Sequence, residues 1–467
     1  MTATLESVQE PATRERWIEE WDPENPAFWE ATGKKVARRN LIFSIIAEHI
    51  GFSVWTMWSV LVLFLGLKYG FPGPKNIGKA MFEGHLVTKA DVAAAAGDKF
   101  LLISIPALVG SMVRLPYTFA VAKFGGRNWT VISALLLLIP LVVTYSVLKP
   151  GVSYSTLLIC GALAGFGGGN FASSMTNINA FYPERLKGRA LGLNAGGGNL
   201  GVAAVQLVAL AVIAYEGKLV ADPRDLIALY IPLVLVAALL SWLMMDNLSG
   251  MRNANGAMRE VMRSPHTYVM SFLYIGTFGS FIGFGFAFGQ VLTVQFKADY
   301  PTPLDAAYLT FLGPLIGSLI RPVGGILADR FGGALVTMLN FLGMTVAASL
   351  ILVASQQKSL PLYLAAFITL FTFSGIGNGS TYKMIPAIFK AKTDTLAQSR
   401  RLSGALIGIA GAVGAFGGVL VNVALRQSFI STGNAESAYV SFIAFYIACV
   451  AVTYVVYLRP GKRLAGV

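Results

Sequence analysis

The stretches 109-VGSMVRLPYTFAVAKFGG-126 and 316-IGSLIRPVGGILADRFGG-333 share the frame G-S-x-x-R-x(9)-F-G-G. Each sets one arginine, Arg114 or Arg321, inside an otherwise apolar and small-residue run. A second matched pair follows each at almost the same offset, 165-GFGGGNFASSM-175 and 375-GIGNGSTYKMI-385, with glycines in step at 165/375, 167/377 and 169/379. A chain that repeats itself in this way, in the same order, is built of two like halves. In membrane proteins such a duplication puts the repeated features on either side of a pseudo-two-fold axis.

The composition agrees with a membrane setting. Of 467 residues 55% are hydrophobic and only 13% are charged, the mean hydropathy is +0.64, and the apolar residues come in long blocks. Candidate spans are 41–67, 100–122, 129–148, 153–181, 188–215, 226–245, 267–295, 305–328, 334–354, 361–389, 402–425 and 438–458. Each reaches or approaches the ~20 residues that a helix needs to cross ~30 Å of hydrocarbon. The expected fold is an all-α polytopic membrane protein of twelve transmembrane helices in two pseudo-symmetric six-helix bundles. Its expected parts are an N-terminal segment 1–40, a first bundle 41–245, a linker 246–266, a second bundle 267–458 and a tail 459–467.

Basic residues recur after every second span, from 34-KKVARRN-40 through Lys123 and Arg127, Arg185 to Arg189, Arg252 to Arg263, Arg330 and Lys390 to Arg401, ending with Arg459 to Arg463. The positive-inside rule makes these segments and both termini cytoplasmic, in a cell membrane. The first external loop, 68–99, carries several lysines and weakens the contrast without reversing it. The net charge of +13 is explained by topology and by contact with the lipid bilayer, so no nucleic-acid partner is expected. Residues 1–40 lack the pattern of a cleavable signal. Cys160 and Cys449 both fall inside spans, so no disulfide, metal or cofactor is expected.

An arginine keeps its charge inside a membrane and needs a partner there. One reading is a snorkelling or ion-paired side chain. Yet Glu48 is the only carboxylate deep in a span, which favours an incoming anion bridging Arg114 and Arg321, since guanidinium suits planar oxyanions. The glycines Gly165, Gly167, Gly169, Gly197, Gly375, Gly377 and Gly379 are expected to let helices pack closely and slide. The lesser reading exposes their backbone to substrate. Asn170, Asn177, Asn179, Asn194 and Asn199 could donate to an anion or hydrogen-bond between helices. Phe171, Tyr274 and Phe278 could wall a flat ligand, the last two sharing a helical face by their spacing of four.

The sequence 324-GGILADRFGGA-334 resembles the loop signature of the major facilitator superfamily. The long stretches GFGGGNFASSMTNINAFYP (165–183) and GIGNGSTYKMIPAIF (375–389) resemble the two signatures of its nitrate/nitrite porter family, and the likeness runs from 24-ENPAFWE-30 to the last span. The resemblance implies the major facilitator fold, one substrate site between the bundles, and alternating access by rocking. It implies that Arg114, Arg321, Phe171, Tyr274, Phe278 and Asn199 contact nitrate or nitrite, with Asp329 and Arg330 as gating charges. The first-half loop, VAKFGGR, lacks the Asp, and Ala195 replaces a family glycine. Such transporters work as monomers. Nitrate is flat, singly charged and weakly hydrated, so two guanidiniums can share its oxygens while rings cover its faces.

The first span also holds Glu48 and His49, in 47-AEHIGFSVW-55. They form either a structural pair or the proton-carrying group of a nitrate/proton symporter. Family members that look like symporters carry an acidic residue of this kind. Lys383 either snorkels to water or turns inward towards the route or Glu48, where it would join the coupling groups. Symport is the leading expectation. Nitrate/nitrite exchange is the alternative, followed by antiport of phosphate or a carboxylate. A membrane anion sensor lacks the signalling domain it would need. An enzyme lacks any nucleophile–base set, metal cluster or nucleotide loop, so no catalytic residue is expected.

Overall fold

The computed structural model describes residues 16–216, 222–250, 256–296, 308–461, 464 and 466–467. Twelve helices among them are long and apolar enough to cross a membrane: α1 Pro26–Phe64, α2 Lys89–Phe124, α3 Gly126–Val147, α4 Tyr154–Phe181, α5 Glu184–Val212, α6 Pro223–Met244, α7 Pro265–Gln295, α8 Tyr308–Phe331, α9 Gly333–Gln357, α10 Leu360–Lys392, α11 Gln398–Thr432 and α12 Glu436–Leu458. Their number and order agree with the spans expected from the sequence. Apolar side chains such as Met112, Leu319 and Val346 are exposed, while polar groups such as Asn194, Asn199 and Asn378 are buried. That inverted distribution suits a hydrocarbon surround.

Two helices begin well before the apolar blocks because capping signals lie upstream. Asn25 Oδ1 accepts hydrogen bonds from Ala27 N at 3.0 Å and Phe28 N at 3.3 Å, and Pro26 fills the first helical position. Thr88 and Asp91 form a reciprocal capping box, with Thr88 N donating to Asp91 Oδ2 at 2.7 Å and Asp91 N donating to Thr88 Oγ1 at 3.2 Å. So α1 starts inside the segment 1–40 expected to precede the first span, and α2 takes up the end of the loop 68–99.

The halves meet chiefly where α2 packs on α11 and α5 on α8, with α1 meeting α7 towards the end opposite the termini. Within each half the glycine segment of one helix lies on the arginine helix. A Cβ on Gly165 would come within 2.9 Å of Gly110 N, and one on Gly375 would clash with Gly317 O. Gly110 and Gly317 hold the same place in the repeated frame, so the duplication read in the sequence is also a duplicated close approach of helices. The segment Gly165–Gly169 tightens into a 3₁₀ turn.

On the face that carries the termini, Trp17–Ile18 pairs as a short parallel strand with Asn247–Leu248. Arg39 Nη2 and Asn40 Nδ2 donate to Asp246 Oδ2 at 2.6 and 2.9 Å. Asn247 Oδ1 accepts from Arg127 N at 2.9 Å beside Gly125, whose φ of +86° an L side chain rarely adopts. The N-terminal segment is thereby tied to the linker and to the α2–α3 turn.

Candidate anion site between the halves

Arg114 sits on α2 with no exposed surface. Its Nε donates to Gly168 O at 2.9 Å and its Nη1 to Gly411 O at 2.7 Å. Two carbonyls, one from α4 and one from α11, therefore fix the plane of the guanidinium. Arg321 occupies the matching place on α8, almost fully buried, with Nη2 donating to Tyr274 Oη at 3.0 Å. Arg114 Nη2 and Arg321 Nη1 are both buried and donate to no protein atom. A buried charged donor left over by its neighbours points to a ligand.

Aromatic rings join the two cations. Phe171 of α4 stacks on Phe278 of α7 with centroids 5.6 Å apart and planes 25° apart. The Arg114 guanidinium carbon lies 4.7 Å from the Phe171 centroid and 4.9 Å from that of Phe278. For Arg321 the same distances are 5.6 and 5.9 Å. Tyr274 stacks in turn on Phe278 at 5.1 Å and 11°. Between them α7 widens into a π-helical turn, Ile275–Gly279, a device often found at functional sites.

Two further aromatic rings, not among those expected from the sequence, face the guanidiniums. Trp55 lies 5.3 Å from the Arg114 guanidinium and donates from Nε1 to Pro106 O at 2.7 Å. Tyr382 lies 5.4 Å from the Arg321 guanidinium and donates to Ile407 O at 3.2 Å. A signal existed for Tyr382. Gly375, Gly379 and Tyr382 are spaced four and three apart, one helical face, and the first two meet α8 at Gly317 O and Arg321 O.

Glu48 lies beside this constellation rather than in it. Its Oε2 accepts from Ser174 Oγ and from Asn194 Nδ2, the latter at 2.7 Å, while Oε1 makes no hydrogen bond and lies against Gly198. Both guanidiniums are within electrostatic reach of it. His49 turns elsewhere, with Nδ1 3.1 Å from Gly197 O, a hydrogen bond that needs the proton on Nδ1. Asn199 is fully buried and neither end of its amide is hydrogen-bonded. It sits one turn from Gly196, which faces Ser318 of α8. Gly197 meets Ile45, Gly167 meets Gly51 O, Gly169 meets Tyr117 and Gly377 meets Thr277, in each case closer than a Cβ would allow.

On the side of the termini, a cavity of about 390 Å³ reaches Arg321 and Tyr382 between α5, α8 and α10. Lys383 lines it, paired with Asp329 at 2.6 Å rather than with Glu48, and both side chains are exposed. Arg330 lies 5.2 Å from the Phe331 ring. The ion pairs that cross between the halves are others. Arg400 of α11 binds Glu184 of α5 at 2.8 Å and Glu24 at 2.6 Å. Among the described residues no group of His, Cys, Asp and Glu could hold a metal ion.

Residues 41–422 match the model of the Major Facilitator Superfamily. The nitrate/nitrite transporter NarU of Salmonella typhimurium is 35% identical over 96% of this chain and 97% of its own length. NarU of Escherichia coli is 34% identical over 95% and 96%. A Thermus thermophilus protein described as "Probable nitrate/nitrite antiporter NarK2" is 32% identical over 96% and 98%. Among solved structures, a D-xylose-proton symporter superposes with a TM-score of 0.65 at 15% identity, covering 88% of this chain and 97% of that one. The human organic anion transporter MFSD10 gives 0.62 at 12%, covering 89% and 99%. At such identities the likeness is one of fold.

Proposed function

The chain belongs to the nitrate/nitrite porter family of the major facilitator superfamily, and from that premise we propose that it carries nitrate, and nitrite, across the cell membrane by alternating access. One observation carries the reading: the two buried donors, Arg114 Nη2 and Arg321 Nη1, left over beside the Phe171–Phe278 stack. A planar monoanion accepts from both while the rings exclude water from its faces. Tyr274 holds Arg321, and the unsatisfied amide of Asn199 is a further donor at this level of α5. Both termini are cytoplasmic, and the cavity that reaches Arg321 is the inner vestibule. The pairs of Arg400 with Glu184 and Glu24 separate when the halves rock apart there, while the Asp329–Lys383 pair lines the vestibule within the second half. Arg330 flanks that gate.

The leading mode is nitrate/proton symport with the proton on Glu48. Formal charge gives the coupling its logic. The empty site, with Glu48 ionised beside two arginines, has one positive charge. The site loaded with nitrate and a proton has the same. Nitrate alone leaves it neutral, and a proton alone leaves it with two positive charges. If the rocking step is tuned to one local charge, empty and fully loaded carriers cross while half-loaded carriers do not. His49, bonded to Gly197, supports the position of Glu48, and Lys383 belongs to the vestibule. Exchange of nitrate for nitrite is the second reading, favoured by the description of the Thermus relative as an antiporter.

The test is nitrate uptake into proteoliposomes under an inward proton gradient with no nitrite inside, wild type against Glu48→Gln. Symport predicts accumulation by the wild type that the variant lacks. Uptake that requires internal nitrite and ignores the gradient would establish exchange instead.

A further inference from the structure

A second cavity, of about 310 Å³, opens at the end opposite the termini. Its walls come from both halves: Leu63 at the end of α1, Ala95 and Lys99 near the start of α2, and Gln290 and Thr293 at the end of α7. Most of the wall is apolar, and no acidic residue lines it among the described residues. Lys99 is half-buried there. Its Nζ lies 5.6 Å from the Phe71 centroid, and no described carboxylate acts on it. Two further groups of the wall can donate. Gly73 N donates to Asn76 Oδ1 at 2.9 Å, which leaves the Asn76 amide nitrogen as its free end, and Lys75 lies beside it.

We infer that this cavity is an outer docking site for small, weakly hydrated monoanions, centred on Lys99, and that it captures substrate before admission to the arginine pair. The inference rests on the transport reading. A half-desolvated ammonium with no counter-ion among the described residues attracts an anion, and apolar walls favour one that gives up its hydration easily. The lysines of the inner vestibule differ, because Lys187 is paired with Glu184 at 3.2 Å and Lys383 with Asp329 at 2.6 Å. Capture is therefore biased to the outer face. Because α7 forms one wall and α1 and α2 the others, the site opens and closes as the halves rock.

The experiment has two arms. In vesicles of known sidedness, K99Q should raise the KM for nitrate offered at the outer face by about threefold to tenfold, with an unchanged maximal rate and an unchanged KM from the inner face, and K99R should restore the wild-type value. In crystals soaked with bromide, an anomalous peak is expected within hydrogen-bond distance of Lys99 Nζ in the wild type and not in K99Q. An unchanged outer KM, the absence of bromide at Lys99, or a peak that survives K99Q overturns the inference. Bromide bound at Lys99 of a protein that carries no nitrate would instead sink the transport reading and leave the outer anion site standing.

Discussion

Phe171 and Phe278 stack on one another across the boundary between the two halves, 5.6 Å apart, and the guanidiniums of Arg114 and Arg321 both lie within 5.9 Å of both rings. Neither half holds a whole site. A cation and a ring come from each, so any movement of one half against the other alters the distance between the charges.

Replacing Arg114 by Lys tests the geometry apart from the charge. Lysine carries its three N–H groups on one nitrogen, which cannot stand at once where Nε meets Gly168 O, where Nη1 meets Gly411 O and where Nη2 is left over. Nitrate affinity measured by calorimetry should fall at least about tenfold, which corresponds to about 1.4 kcal/mol. Wild-type affinity in Arg114→Lys would mean that charge alone suffices.

Gly375→Ala should destabilise the second half, because the new Cβ would clash with Gly317 O, a backbone atom that cannot swing aside. The expected cost is about 1–3 kcal/mol, read as a lower melting temperature in detergent. Gly192→Ala, with nothing within 4 Å, is the control and should melt like the wild type.

Asn194→Ala removes one of the two donors to Glu48 Oε2 and leaves Ser174. A carboxylate that loses a hydrogen bond binds its proton more tightly. The pH at which proton-driven uptake is half-maximal should therefore move upward, and a profile that coincides with wild type would separate this network from coupling.

Arg400→Ala breaks contacts to both Glu184 and Glu24 and should loosen the inner gate. Exposed pairs contribute about 0.2–1 kcal/mol each, so thiol labelling of Cys introduced at Asn179, in the cavity beside Arg400, should speed up by roughly twofold to tenfold. High salt should produce part of the same effect in the unaltered gate.

Outside the membrane, the hydrogen bond to Asp91 raises the pKa of His85 above its ordinary value of 6.5. A group whose folded pKa is raised stabilises most below its unfolded pKa and loses that contribution as pH rises through the folded one. The hairpin Met81–Phe82/His85–Leu86 should show stronger amide protection at pH 6 than at pH 8, and a reversed order would contradict the assignment.

The spans and the paired arginines were legible because both depend on local pattern: apolar blocks, and a frame that occurs twice. Phe171, Tyr274 and Phe278 gained their roles from family resemblance, since a ring in an apolar helix looks like any other core residue. What escaped was set by main-chain atoms and by distance along the chain. Carbonyls such as Gly168 O and Gly411 O have no side-chain signature. Arg400 meets Glu184 and Glu24 across separations of 216 and 376 residues, which no periodicity reports. Lys383 looked like a coupling group because its partner, Asp329, was read as a gating charge on a different helix.

The strand Trp17–Ile18 can pair only with Asn247–Leu248, which the ribosome makes some 230 residues later. At about 5–20 residues per second, the first ordered segment waits on the order of ten to fifty seconds for its mate, until all six helices of the first half have been made. Closure of that strand pair thus cannot precede the completion of the first half during synthesis.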